Sequence, residues 1–380
     1  MNLLHNCSNK IVRLVILAMC FCAILPLTAD ASSARSINND LPVFYAEHED
    51  IYTREAAEAA KEEAYGNYEM KKVIPGGMTV GIRINTNGVM VLGVDYVNDE
   101  SGTARKPADG ILNPGDLILS VNGNYVENKE DLRREIESSN GDIRLSVKRE
   151  GELFEKTLVP IKCPQDNINK LGAWVRDSTQ GIGTITYINP ETLKFGALGH
   201  GIMDIDTKKL MCIRSGEVWD ANVKSIKKGR RGAPGELLGD IARGTNFGDV
   251  RMNNAYGLYG MVDNNIDWLI KEPIFIASKD EVIPGPASIL TNIGSCNVVE
   301  YDIVIETLNK NSSDNSKGIV IRIVDERLLD KTNGIVQGMS GSPIIQNGKL
   351  LGAITHVFVQ EPTKGYGIFI EHMLKQESGF

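Results

Sequence analysis

Ser340 stands in Gly338-Met339-Ser340-Gly341-Ser342-Pro343, and two strands follow at once. They are Ile344-Ile345-Gln346 and Lys349-Leu350-Leu351-Gly352-Ala353-Ile354-Thr355, joined by the two-residue connection Asn347-Gly348. Asn-Gly between apolar runs predicts a tight β-hairpin. A hydroxyl in a Gly-flanked loop ahead of such a hairpin has the chemistry of nucleophilic acyl transfer. The small neighbours let backbone N–H groups, here those of Gly338 and Ser340, converge as an oxyanion hole.

A serine nucleophile needs a general base, and histidine is the usual one. Beyond the first 31 residues the chain has His48, His200, His356 and His372. His48 falls in a polar stretch and His372 in a C-terminal helical one. His200 sits in Phe195-Gly196-Ala197-Leu198-Gly199-His200-Gly201-Ile202, a small-residue loop like that carrying the base in chymotrypsin-like peptidases. His356, in Thr355-His356-Val357-Phe358, follows the hairpin, so Thr355 and His356 are expected to line the substrate cleft. The carboxylate that would complete a triad is open at this point. Asp204, Asp206, Asp240, Asp249, Asp263 and Asp325 all lie between base and nucleophile, and a generic double-barrel layout favours Asp240 or Asp249.

These residues need a scaffold of strands. With 380 residues, the chain has room for two or three domains. Its 38 glycines and scattered β-branched runs favour a mainly β plan. From about residue 170 to 380, many short β-like segments suit a chymotrypsin-like double β-barrel with its site between the barrels. Residues 76–162 form a separate unit. Strands Thr79–Ile84 and Val89–Val94 are expected to reverse at Asn87-Gly88. A helix from Lys129 to Ser138 and a hairpin turning at Glu150-Gly151 complete it. Its run Leu112-Asn113-Pro114-Gly115-Asp116-Leu117-Ile118, continuing to Val121-Asn122-Gly123, resembles a PDZ domain. That resemblance implies an extended peptide ligand added as a strand. The loop expected to face it holds Gly77, Gly81, Ile82 and Ile84.

The N-terminus reads as an export signal over residues 1–31. Lys10 and Arg13 precede an apolar run from Leu14 to Leu25, and Ala29-Asp30-Ala31 is a small-x-small cleavage site. The run is short for a stable membrane span, so any tether through it is transient. Residues 32–75 read as a linker or stalk, with Leu41-Pro42-Val43-Phe44-Tyr45 as a processing site. A net charge of −8 argues against nucleic-acid binding. Three of the six cysteines fall in the leader; Cys163, Cys212 and Cys296 allow one disulfide or three free thiols. No metal-ligand spacing is present, and the expected chemistry calls for no cofactor.

Taken in order, the leader, a single PDZ unit, Ala197-Leu198-Gly199-His200-Gly201, Gly338–Pro343 and Thr355-His356-Val357-Phe358-Val359 resemble the stage IV sporulation protein B family of serine peptidases. The resemblance matches His200 to the base and Ser340 to the nucleophile. It makes Asp325, in Ile323-Val324-Asp325-Glu326-Arg327, the triad acid, with Asp240 as the alternative. It implies a sporulation signalling endopeptidase, exported across the forespore membrane into the intermembrane space. Such an enzyme cleaves its own N-terminal region, then cuts a membrane-bound regulator of an intramembrane protease and so triggers processing of a late sigma factor. The PDZ domain would present substrate or bind the chain's own N-terminal region. Two other readings remain. An envelope quality-control protease of the HtrA kind carries its PDZ domains after the protease, the reverse of the order here. A non-catalytic PDZ adaptor would have no need of both His200 and Ser340.

Overall fold

The computed structural model describes residues 71–263, 272–294, 297–377 and 379. The leader, nearly all of the stalk, His48 and Cys296 lie outside them. The architecture is mainly β, with two barrels and a PDZ unit, as expected from the sequence.

The first sheet, which holds the first barrel and the strands of the PDZ unit, takes strands from far apart in the chain. They are β1 (Lys72–Pro75), β2 (Thr79–Val94), the short PDZ strand β3 (Leu117–Val121), then β4 (Ile143–Arg149) and β5 (Glu152–Leu158) of the PDZ hairpin, and β6 (Ala173–Ile188). Next come β7 (Lys194–Ala197), β8 (Ile213–Lys227), β9 (Gly235–Asn254) and β10 (Gly257–Val262). Strand β2 pairs with β6 on one edge and β8 on the other. From β8 the pairing runs through β9, β10 and β7 back to β6, closing a ring of six. Val80, Ile82, Ile84, Ile185, Phe195, Val218 and Leu258 fill it. Each such side chain contributes about 1.5–3 kcal/mol when fully removed from water.

The second barrel closes from β11 (Gly285–Thr291), β12 (Val299–Leu308), β13 (Ile319–Ile323), β15 (Pro343–Gln346), β16 (Lys349–Val357) and β17 (Lys364–Phe369). Between β13 and β15 lie a short helix, Glu326–Thr332, and the two-residue strand β14 (Val336–Gln337). Ile289, Ile303, Ile321, Ile344, Ile354 and Phe369 form its core. The PDZ unit is built on the C-terminal half of β2, with β3, β4, β5 and helix α1 (Lys129–Glu137). Asn128 caps α1 by accepting from the Asp131 N–H at 2.8 Å. Leu132 and Ile136 turn into a core with Val89, Val91, Ile118 and Val147. The hairpin turn at Glu150-Gly151 has both residues left-handed, as does Asn122-Gly123.

Two sequence expectations change. Residues 79–94 form one strand, not a hairpin reversing at Asn87-Gly88. The Asn87 N–H donates to the Cys212 carbonyl, and the Thr86 hydroxyl donates to the Gly88 carbonyl at 2.6 Å. Gly88, at φ +98°, absorbs a kink where β2 passes from barrel to PDZ unit. The boundary at residue 76 moves with it. Residues 72–86 pair and pack with the first barrel, so the PDZ unit is set between strands of that barrel. Among the described residues, no helix is long and apolar enough to cross a membrane.

Candidate active site

The Ser340 loop is set by local hydrogen bonds. The Met339 N–H donates to Val336 O, Ser342 N–H to Met339 O and Gly341 N–H to Ile354 O. Gly338 (φ +103°) and Gly341 (φ +93°) make the two sharp bends. Asn347 and Gly348 are both left-handed, the pairing that a two-residue hairpin turn needs. The first barrel holds the loop from the other side. Thr184 Oγ1 donates to Gly338 O at 2.7 Å, Thr186 Oγ1 to Gly341 O at 2.8 Å, and the Thr184 N–H to Ser340 O at 3.1 Å. A Cβ on Gly341 would stand 2.1 Å from Thr184 O, so only glycine allows this approach. Among the described residues, the N–H groups of Gly338 and Ser340 have no acceptor. They are the two groups expected to form the oxyanion hole.

His200 follows Leu198 (φ +69°) and Gly199 (φ +68°) at the end of β7. A buried leucine in the left-handed region stores local strain, on the order of 1–3 kcal/mol. His200 Nδ1 lies 3.0 Å from Gly201 O. A carbonyl can only accept, so Nδ1 carries the proton and Nε2 presents its lone pair. Burial lowers the pKa of His200 below the ordinary histidine range, against the opposing pull of the Gly201 carbonyl. His356 stacks on it, ring centroids 4.8 Å apart and tilted by 35°. Desolvation first, then His200 and Lys317, lower His356 to about 4, while Asp314 opposes them.

Ser340 and His200 line the same cavity of about 540 Å³. Thr355 and His356 lie in its wall together with Leu198 and Gly338. The Ser340 hydroxyl donates to Thr355 O at 2.8 Å.

Both expected acids have other partners in the structure. Asp325 accepts from the Arg327 side chain at 2.6 Å and from the backbone N–H groups of Arg327 and Asp302. It also caps the helix that starts at Glu326. These bonds, led by that to Arg327, lower its pKa to about 2. The alternative, Asp240, is exposed and paired with Lys224. Among the described residues, neither carboxylate bonds to His200; the carbonyl of Gly201 does.

The loop expected to face a PDZ peptide is closed. Gly81, Ile82 and Ile84 are held between β6 and β8, which occupy both edges of β2 there, and Gly77 lies in the barrel loop before it. No free edge remains for a peptide. The opening in this unit lies instead between α1 and the start of β6. A hollow of about 480 Å³ is lined there by Leu132, Arg133, Ile136, Leu171, Trp174 and Val175. Among the described residues, Ala173–Arg176 pairs with β2 on one edge only. Leu171-Gly172-Ala173-Trp174-Val175, an apolar run broken by a small residue, carried a readable sign of it. Cys163 is buried and Cys212 exposed, and both are free thiols.

With this geometry in place, the sequence matches the family described as SpoIVB peptidase S55 over residues 167–374, more than half of the chain. The chain belongs to that family. It is a serine endopeptidase. Similar solved structures include the PDZ domain of an SdrC-like protein from Listeria monocytogenes. That pair shows 19% identity and a TM-score of 0.20, covering 24% of this chain and 90% of that one. Another is an inactive serine-to-alanine mutant of Rv3671c from M. tuberculosis H37Rv. It shows 14% identity and a TM-score of 0.29, covering 52% of this chain and 82% of that one.

Proposed function

We propose that this S55 peptidase is a sporulation signalling enzyme that works through Ser340 and His200. The single observation that supports the site is that both line one cavity with Gly338, and that among the described residues the N–H groups of Gly338 and Ser340 have no acceptor. The Ser340 hydroxyl turns from Thr355 O towards His200 and attacks the scissile carbonyl. Nε2 of His200 takes its proton and returns it to the leaving amine. The C–N bond breaks as the tetrahedral intermediate collapses, and water repeats the cycle on the acyl-enzyme. Gly338 and Ser340 N–H groups hold the oxyanion. The Gly201 carbonyl fixes the imidazole tautomer, the task that a carboxylate performs in a triad. Thr355 and His356 form the cleft wall.

The biological setting is the family's expectation carried onto this chain. It is exported from the forespore and transiently tethered by its leader. It trims its own stalk and then cuts a membrane-bound regulator of an intramembrane protease. The hollow between α1 and Leu171–Val175 takes an extended peptide as an added strand, either from the substrate or from the chain's own N-terminal region. An envelope quality-control role is the competing enzyme reading, and the experiment below also tests the non-catalytic adaptor.

Wild type and Ser340→Ala, each expressed without the leader, are sized by intact mass. The proposal expects wild type to lose residues within the stalk and the mutant to stay whole. If both stay whole and neither reacts with a serine-directed fluorophosphonate, the adaptor reading replaces it.

A further inference from the structure

The end of β8 and its connection to β9 carry Lys227, Lys228, Arg230 and Arg231. All four side chains are exposed. In a chain of net charge −8, a local surplus of four cations stands out. Among the described residues, none of the four is in an ion pair. Arg231 bonds only to the neutral Gln360 side chain, at 3.4 Å. The nearest acid in register is Glu236, across the strands from Lys227. Glu361, in the adjoining loop, is engaged by Arg322 and Lys364.

This connection is fastened to the catalytic half of the molecule. The Gly232 N–H donates to Val359 O, the Gly229 N–H to Thr332 O, and the Asn333 side chain to Gly229 O at 2.7 Å. Pro234, just after the four cations, and Val359 both line the cavity that holds Ser340 and His200. The basic turn is therefore the rim of the substrate cleft. Val359, just beyond the end of β16, accepts from Gly232, so a polypeptide laid along β16 past Thr355 and His356 would run out over Lys227–Arg231.

We propose that this rim is a recognition surface for acidic side chains of the substrate, upstream of the scissile bond. The inference rests on the cleft being the peptidase site. The occupant is a polypeptide and not a lipid surface, because the turn is continuous with the cleft wall and a chain in the cleft must cross it. Opposite charge at such a rim acts mainly on encounter and register, so it is read in kcat/KM and in salt dependence.

The test is cleavage profiling of a proteome-derived peptide library, read by mass spectrometry, with wild type and with Lys227→Glu/Lys228→Glu/Arg231→Glu. Fluorophosphonate labelling of Ser340 is followed in parallel. The expected result is enrichment of Asp and Glu upstream of the cut, worth about tenfold in kcat/KM and weakening as salt rises. The triple variant should lose or invert that preference while labelling at the wild-type rate. Cleavage without acidic enrichment, or with enrichment only downstream, overturns the rim proposal and leaves the peptidase reading standing. Equal profiles for both proteins, with loss of binding to phosphatidylglycerol vesicles in the variant, overturn it in favour of a membrane contact. Absence of both cleavage and labelling in wild type overturns both.

Discussion

The Ser340 loop and the His200 loop face each other across one cleft, but they are built by different means. The Ser340 loop is held at almost every peptide group, by its own barrel and by Thr184 and Thr186 of the other. Its two uncommitted N–H groups are those that the chemistry needs. The His200 loop carries consecutive left-handed residues and orients its ring through one neighbouring carbonyl. The proposed nucleophile is thus positioned by a network and the proposed base by a local bond beside a strained backbone. Precision at the oxyanion hole needs many constraints, whereas an imidazole needs only one fixed nitrogen.

That contrast can be broken most forcefully at Gly341. An alanine there would put its Cβ 2.1 Å from Thr184 O and 2.5 Å from Leu198 N, at a φ of +93°. The expected cost exceeds about 4 kcal/mol, with loss of fluorophosphonate labelling. Thermal unfolding and labelling of Gly341→Ala check it; a variant that melts and labels like wild type would mean that the barrels do not meet there.

A smaller effect is expected at Asp325. Asp325→Ala removes a helix cap and the acceptor for Arg327, so stability should fall by about 1–2 kcal/mol in denaturant titration. The pH profile of labelling should not move, because the carboxylate has no bond to His200.

The smallest expected effect is on pH. Burial disfavours the charged imidazole, so the folded pKa values of His200 and His356 lie below the ordinary value of about 6.5. The neutral base then persists as pH falls, and the acid limb of labelling should have its midpoint below about 6.5. Stability runs with the opposite emphasis. The unfolded chain binds protons first, so stability declines as pH falls through about 6.5, for His356 until its folded value of about 4. A limb centred above 6.5 would show that a negative charge supports His200.

The two loops were also unequally legible in the sequence. Gly338–Pro343 with the Asn347-Gly348 hairpin is a local pattern, because every constraint lies within a few residues. Placing His200 needed only its small-residue loop. Its orienting partner could not be read, because any residue can supply a backbone carbonyl. Asp325 followed from the family resemblance, yet its own neighbour Arg327 competes for it at two residues' distance. The PDZ unit's helix and its turns at Asn122-Gly123 and Glu150-Gly151 were legible, whereas Asn87-Gly88, read as a reversal, only kinks one strand. The reach of β2 into a barrel closed by residues 173–262 was not legible, since pairing between strands so far apart leaves no local signature. That hidden pairing is why the edge expected to be open at Gly77–Ile84 is closed by β6 and β8, and why the hollow of this unit lies near Leu171–Val175.

The most direct measurement is the rate of fluorophosphonate labelling across pH for wild type, His200→Gln and Asp325→Asn. The account predicts that His200→Gln loses several powers of ten, while Asp325→Asn keeps the wild-type rate and acid-limb midpoint. If Asp325→Asn fails as His200→Gln does while its melting temperature is unchanged, Asp325 is the triad acid and the Gly201 carbonyl does not fill that role.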